Sequence, residues 1–67
     1  MKVNYDKKNN VASLDFVDRE GAYIQESVEI PGTELILDFD KDGQLVSIES
    51  LNPKEELPEE LLSLCTK

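Results

Sequence analysis

Residues 33–51, TELILDFDKDGQLVSIESL, contain two stretches in which apolar and polar residues alternate, separated by an Asp-Gly pair. Such alternation is typical of a half-buried β-strand, and Asp-Gly between two such stretches is a strong hairpin signal. A two-residue loop at Asp42-Gly43, or a four-residue loop over 40–43, places Leu37 opposite Ile48 and keeps the apolar side chains on one face. A three-residue loop would place Leu37 opposite Ser47, so that the apolar side chains of the two strands would no longer share a face. We therefore predict an antiparallel hairpin.

The same residues also satisfy the spacing of a calcium-binding EF-hand loop, D-x-[DN]-x-[DN]-G-x5-E. The carboxylate ligands would be Asp38, Asp40, Asp42 and Glu49. An EF-hand requires a helix on each side of the loop, whereas the flanking residues alternate as strands. We therefore expect no metal site. Weak binding of a divalent cation or small ligand at the turn, residues 38–43, remains an alternative.

Further strand signals extend the same sheet. They are residues 1–6, 11–17 and 23–30, with a polar turn at 7–10, a loop at 18–21 and a turn at Pro31-Gly32 between them and the last hairpin. Directly opposed residues of an antiparallel hairpin share a face. All three hairpins then place large apolar side chains on one common face, through the pairs Tyr5–Ala12, Val3–Leu14, Met1–Phe16, Val28–Leu37 and Phe39–Val46.

After Asn52-Pro53 the pattern changes to that of a helix. Pro58 suits a first helical turn, acidic residues follow it, and leucines recur at spacings of three and four. We predict a short amphipathic helix over residues 58–66, packed on one face of the sheet. The predicted fold is a single α+β domain, residues 1–67. Its antiparallel sheet has four or five strands, arranged as a meander of hairpins over residues 1–51.

The chain is short, at 67 residues, and has one cysteine, Cys65, and no histidine, so neither an internal disulfide nor a zinc site is expected to stabilise it. A helix of about eight residues is only ~12 Å long, which is too short to cover the sheet. Uncovered apolar surface therefore predicts a homodimer. With no signal-peptide pattern and no apolar run of ~20 residues, we expect a cytoplasmic protein without a membrane partner.

The net charge is −8, from 15 acidic and 7 basic residues. This charge argues against direct binding of nucleic acid, whose phosphates require lysine and arginine. Strand alternation places several carboxylates on the outer face of the sheet, opposite the apolar one. The predicted acidic interaction face consists of Asp15, Glu29, Asp38, Asp40 and Glu49, with Glu34 beside them. Such a face would bind a basic protein partner.

No residue pattern predicts catalysis or a cofactor. Acid–base chemistry with two carboxylates needs a cleft between them, which one flat sheet face does not offer. Cys65 lies near the C-terminal end of the predicted helix, where a thiolate is disfavoured, and there is no histidine to act as its base. We therefore expect an idle thiol, no cofactor and no enzymatic activity.

Three segments, MKVNYDKKNNVASLDF, ESVEIPG and LILDFDKDGQLVSIESL, follow one another in an order and spacing that resembles the short bacterial YuzE-like proteins of domain-of-unknown-function family 2283 (DUF2283). The resemblance covers about residues 1–52. Ser47 departs from the family pattern, which usually has glycine at this position. The resemblance implies a small β-sheet with a C-terminal helix, no established activity, and a hairpin turn at the Asp-x-Asp-Gly segment. Family members beside toxin-like genes imply an antitoxin-like or other partner-binding role.

We therefore expect a non-catalytic, acidic protein-interaction module with a basic protein partner. Two alternatives remain open. One is an obligate homo-oligomeric structural protein, and the other is a weak cation or small-ligand binder at the turn over residues 38–43.

Overall fold

The computed structural model of the chain describes residues 1–17 and 24–65. Within these residues, five strands form one antiparallel sheet and two short helices follow it. The strands are β1 (Lys2–Asp6), β2 (Val11–Asp15), β3 (Glu26–Glu29), β4 (Leu35–Phe39) and β5 (Leu45–Ser50), and the helices are α1 (Pro53–Glu56) and α2 (Glu59–Leu62). The predicted α+β class and antiparallel sheet are confirmed.

The strands lie in the order β1-β2-β5-β4-β3. This order differs from the predicted meander, in which β2 would lie beside β3. Instead, β2 pairs with β5, the longest strand, with Leu14 opposite Ile48. The β1–β2 hairpin is thereby joined side by side to the β3-β4-β5 unit. The predicted loop at 18–21 and the start of the predicted segment 23–30 lie outside the described residues.

The predicted registers of the first two hairpins are confirmed. Val3 pairs with Leu14 in β1–β2, and Val28 pairs with Leu37 in β3–β4. The β1–β2 pairing ends at Lys2 and Asp15, so it does not include the predicted Met1–Phe16 pair. The turn before β4 has Gly32 at φ +80, the left-handed conformation that glycine adopts at the second central position of a type II turn.

The β4–β5 hairpin has the predicted pairing of Leu37 with Ile48, but its loop differs from the predicted ones. The Asp40 N–H donates to the Gln44 carbonyl at 2.9 Å and the Gly43 N–H to the Asp40 carbonyl at 3.0 Å, which closes a three-residue loop. Phe39 pairs with Leu45, not with Val46 as predicted, and a β-bulge follows. The three-residue loop shifts the strand pairing by one residue relative to the predicted loops, and the extra residue of the bulge shifts it back. Leu37 therefore still opposes Ile48.

The predicted helix over 58–66 is shorter than expected, because α2 covers only Glu59–Leu62, and residue 66 lies outside the described residues. A second helix of four residues, α1, precedes it at Pro53–Glu56, where none was predicted. Pro53 opens α1, and Leu57, which precedes Pro58, is extended and separates the helices. A residue before proline is driven out of the helical region by the proline ring, which explains the interruption. Glu56 attaches α1 to the sheet by accepting bonds from the Ser50 hydroxyl at 2.9 Å and the Glu34 N–H at 2.6 Å.

The apolar core of the described residues is small. Its buried hydrophobic side chains are Val3, Ala12 and Val46, and the proline at the start of α1 is buried beside them. The helices lie at the end of the sheet, where α2 contacts β1. No helix among residues 1–17 and 24–65 is long and apolar enough to cross a membrane.

Candidate functional site

Asp38 is the most buried charged residue that the structure describes, and it lies on β4 in the centre of the predicted acidic face. Its side chain has no exposed surface. The Ser47 hydroxyl on β5 donates to Asp38 Oδ2 at 2.6 Å, and the Ser27 hydroxyl on β3 donates to Asp38 Oδ1 at 2.6 Å. Asp38 pairs directly with both serines in the sheet register. One carboxylate therefore links three neighbouring strands.

Asp15 on β2 extends this polar row, because it pairs with Ser47 on its other side. Asp15 is 6% exposed, and the Asn4 side-chain amide on β1 donates to its Oδ2 at 3.1 Å. The same amide also donates to the Ser13 hydroxyl at 3.2 Å. We call the set Asn4, Asp15, Ser27, Asp38 and Ser47 the buried polar row after the three buried residues at its centre, since Asn4 is half-buried and Ser27 is exposed. It runs across all five strands.

The chemistry of the buried polar row is that of a structural network. Both serine hydroxyls donate to the carboxylate of Asp38, and the chain has no histidine that would relay a proton from them. A carboxylate without exposed surface is out of reach of a substrate in this conformation. Buried polar groups that all have partners stiffen a structure, and this is the role that the geometry supports.

Asp40 is used by the turn between β4 and β5. Its Oδ1 accepts bonds from the backbone N–H groups of Asp42 and Gln44, both at 2.9 Å. An aspartate that binds its own backbone two residues further on is a common turn device. The carboxylate thus stabilises the loop that Gly43, at φ +80, allows to close.

The cation-site alternative at this turn receives no support from the geometry. Asp38 points into the buried polar row, whereas Asp40 points into the turn. Among the described residues, no three side chains of the types that ligate metals converge on one point. A calcium site needs six to eight oxygens around the ion, and an extended hairpin does not gather them.

The predicted acidic interaction face must be corrected at two positions. Asp15 and Asp38 do lie on the face opposite the apolar one, but both are buried and neither can contact a partner. Glu29 is exposed on the edge strand β3, Asp40 is half-buried, and Glu49 is half-buried and engaged with another residue. The remaining acidic surface is therefore concentrated at the β3 edge and the turn.

The apolar face offers a second candidate surface. Five apolar side chains form its central row, one from each strand: Val3, Leu14, Ile48, Leu37 and Val28. Val3 is buried, the three that follow it are half-buried, and Val28 is 40% exposed. We call this set the apolar row. Its exposure increases from the β1 edge, near the helices, toward the β3 edge.

Ser27 and Asn4 were not singled out from the sequence, and Ser47 was noted only as a departure from the family pattern, although their positions carry a signal. Once β4 pairs with both β3 and β5, the predicted register Val28–Leu37 also places Ser27 beside Asp38. A carboxylate flanked by hydroxyls on both neighbouring strands is then the sign of an internal network. Cys65, predicted to be idle, is half-buried and is the single cysteine of the chain.

The chain belongs to a family described as "Protein of unknown function (DUF2283)", whose model matches residues 2–53. The match contains the whole five-stranded sheet and ends at the first residue of α1. Neither a curated protein nor a solved structure matches the chain.

Proposed function

We propose that this DUF2283 member is a non-catalytic protein-interaction module that binds a basic partner on the apolar face of its sheet. The observation that carries the proposal is the incomplete covering of the apolar row. Leu14, Ile48 and Leu37 lie at the centre of the sheet yet are only half-buried, and Val28 is 40% exposed. A contiguous apolar surface of this kind on a small domain is typical of an interaction site.

The charge around this surface favours a basic partner. Glu26 is exposed on β3 and shares the face of Val28, where the apolar row is most open, while Glu29 is exposed on the other face of the same edge strand, and the chain carries a net charge of −8. A second copy would bring carboxylates against carboxylates, which opposes association. A strand or helix with apolar side chains flanked by lysine or arginine complements both features. An antitoxin bound to a basic toxin would be one instance of such a pair.

Affinity capture from a lysate of the native host, followed by mass spectrometry, tests this proposal. The protein is compared with a Val28→Ser, Glu26→Lys variant, which removes apolar surface and reverses one charge at the β3 edge. The control is Leu51→Ser, because Leu51 is 50% exposed but follows β5 outside the apolar row. The expected result is a basic protein that binds the wild type and the control, is lost at high salt, and does not bind the β3-edge variant.

Amide NMR with the captured partner locates the interface. Perturbed signals at Leu37, Ile48 and Val28 are expected. A partner that binds the β3-edge variant as well as the wild type, or perturbs signals elsewhere, would contradict the proposed surface.

A homodimer is the second candidate, and the small core favours it. A chain of this length buries only ~60% of its unfolded surface and is marginally stable alone. Association through the apolar face would add buried area. Because the two copies repel, the dimer should strengthen as salt screens their charges. Sedimentation velocity that shows a monomer at micromolar concentration, at both low and high salt, would exclude it.

A further inference from the structure

A cleft of ≈ 790 Å³ lies between the β1–β2 hairpin and the two helices, at the end of the sheet away from the β3 edge. Tyr5 at the end of β1 and Lys7 and Lys8 in the following turn form one wall. Lys54 of α1, Leu57 and Leu62 form the other. Sites for small molecules typically have volumes of about 300–1,000 Å³, so the cleft is large enough for one.

The charge of this cleft differs from that of the rest of the molecule. Three of the 7 basic residues of the chain line it, although the net charge of the chain is −8. Within the described residues, the ammonium groups of Lys7, Lys8 and Lys54 take part in no hydrogen bond or ion pair. They line the cleft as exposed side chains.

Two carboxylates also line the cleft, and one of them is hydrogen-bonded within the turn that follows β1. The Asn9 backbone N–H donates to Asp6 Oδ1 at 3.2 Å, and the Asn9 side-chain amide donates to Oδ2 at 2.8 Å, so both oxygens of Asp6 belong to the turn. Glu59 is exposed at the start of α2. The three lysines thus outnumber the two carboxylates among the residues that line the cleft.

Other residues of the cleft lining are apolar. Tyr5, Leu57 and Leu62 are half-buried and present ring and methyl surface to the cleft. Apolar walls with a few convergent polar groups are the usual construction of a ligand site. We propose that this cleft binds a small organic anion, with an aryl or short acyl body against Tyr5 and the leucines and a carboxylate or phosphate head among the lysines.

Fluorescence titration of the full chain with 8-anilinonaphthalene-1-sulfonate tests the proposal, with N-phenyl-1-naphthylamine as the uncharged analogue. Binding of the sulfonate with one-to-one stoichiometry is expected, with perturbed amide signals at Tyr5, Leu57 and Leu62. Lys54→Ala and the double variant Lys7→Ala, Lys8→Ala should each weaken sulfonate binding, by about two- to fivefold per lysine. Binding of the uncharged analogue should be weaker and should not change. Competition by hexanoate and by phenyl phosphate then decides which head group is preferred.

The matched control is Lys41→Ala, because Lys41 is an exposed lysine in the β4–β5 turn and does not line the cleft. Its sulfonate affinity should equal that of the wild type. The proposal is overturned if all four lysine positions behave alike, if the uncharged analogue binds as tightly, or if the perturbed amides lie in the apolar row. The last outcome would instead identify the probe as a ligand of the apolar face of the sheet.

Discussion

The two faces of the sheet differ in how deeply their central side chains are buried. On the polar face, Asp38 and Ser47 have no exposed surface, whereas on the apolar face Leu37 is half-buried and Val28 is 40% exposed. The more polar surface is thus the more deeply buried at its centre. The residue types on a face therefore do not by themselves decide whether water reaches it.

The physical requirements of the two faces explain this difference. A polar side chain tolerates burial when each of its atoms has a partner, and hydroxyl and amide donors on neighbouring strands supply these partners to Asp38 and Asp15. An apolar face needs covering area instead. The four spacings between five neighbouring strands, at ~4.8 Å each, add up to about 19 Å, whereas each four-residue helix is only ~6 Å long. Helices of this length are therefore too short to cover the whole apolar face, and Val28 at the β3 edge stays 40% exposed.

The largest effect is expected from Asp38→Ala, which removes the acceptor of the Ser47 and Ser27 hydroxyls. The free energy of unfolding should fall by about 2–4 kcal/mol, because removing one member of a buried, charged network leaves its partners without their hydrogen bonds. Urea denaturation measures the change. Asp42→Ala, at an exposed position of the turn, is the control and should cost less than about 0.5 kcal/mol. Equal losses for both variants would show that the buried polar row does not stabilise the sheet.

The two serines should not be equivalent. Ser47→Ala removes a donor from a site with no exposed surface and should cost about 1–3 kcal/mol. Ser27 lies on the exposed edge strand β3, where water can replace the lost hydroxyl, so Ser27→Ala should cost less than about 1 kcal/mol. Chemical denaturation of the two variants side by side tests this order. A larger loss for Ser27 would place the driest part of the row at the edge.

The two ends of the apolar row should also differ. Val3 is 3% exposed and Val28 is 40% exposed. Val3→Ala should cost about 1–2 kcal/mol, because the deletion leaves a cavity, whereas Val28→Ala should cost about 0.5 kcal/mol or less. Thermal and urea denaturation at low protein concentration measure both. A large loss at Val28 that depends on protein concentration would support the homodimer instead.

A small effect is also expected at the turn that joins β4 to β5. Asp40→Ala removes an acceptor for two backbone N–H groups, but water can reach them in the exposed loop, so about 0.5–1 kcal/mol should be lost. Asp40→Asn keeps an oxygen in place and should recover most of the stability. If both variants match the wild type in urea denaturation, backbone geometry alone closes the loop.

Local patterns predicted the strands and most of their registers because alternation, turn residues and pairing all depend on neighbours in sequence. The β4–β5 turn shows their limit. A three-residue loop and a bulge at Val46 compensate each other, and alternation cannot reveal two opposite shifts that cancel. Helix α1 was missed, although Pro53 suits a first helical position and Leu57, which precedes Pro58, marks its end. The burial of Asp15 was not visible in the sequence, because it depends on β2 pairing with β5 across the order of the chain.

The sequence alone determined which side chains share a face, since alternation is a property of the backbone, and it also determined the family and the acidic charge. Only the tertiary structure decided which of those side chains are enclosed. The acidic residues were predicted to form one docking surface, but the fold placed Asp38 and Asp15 in a hydrogen-bonded interior and left Glu29 outside. The physical reason is that burial depends on what lies above a residue, and that is set by strand order and helix length.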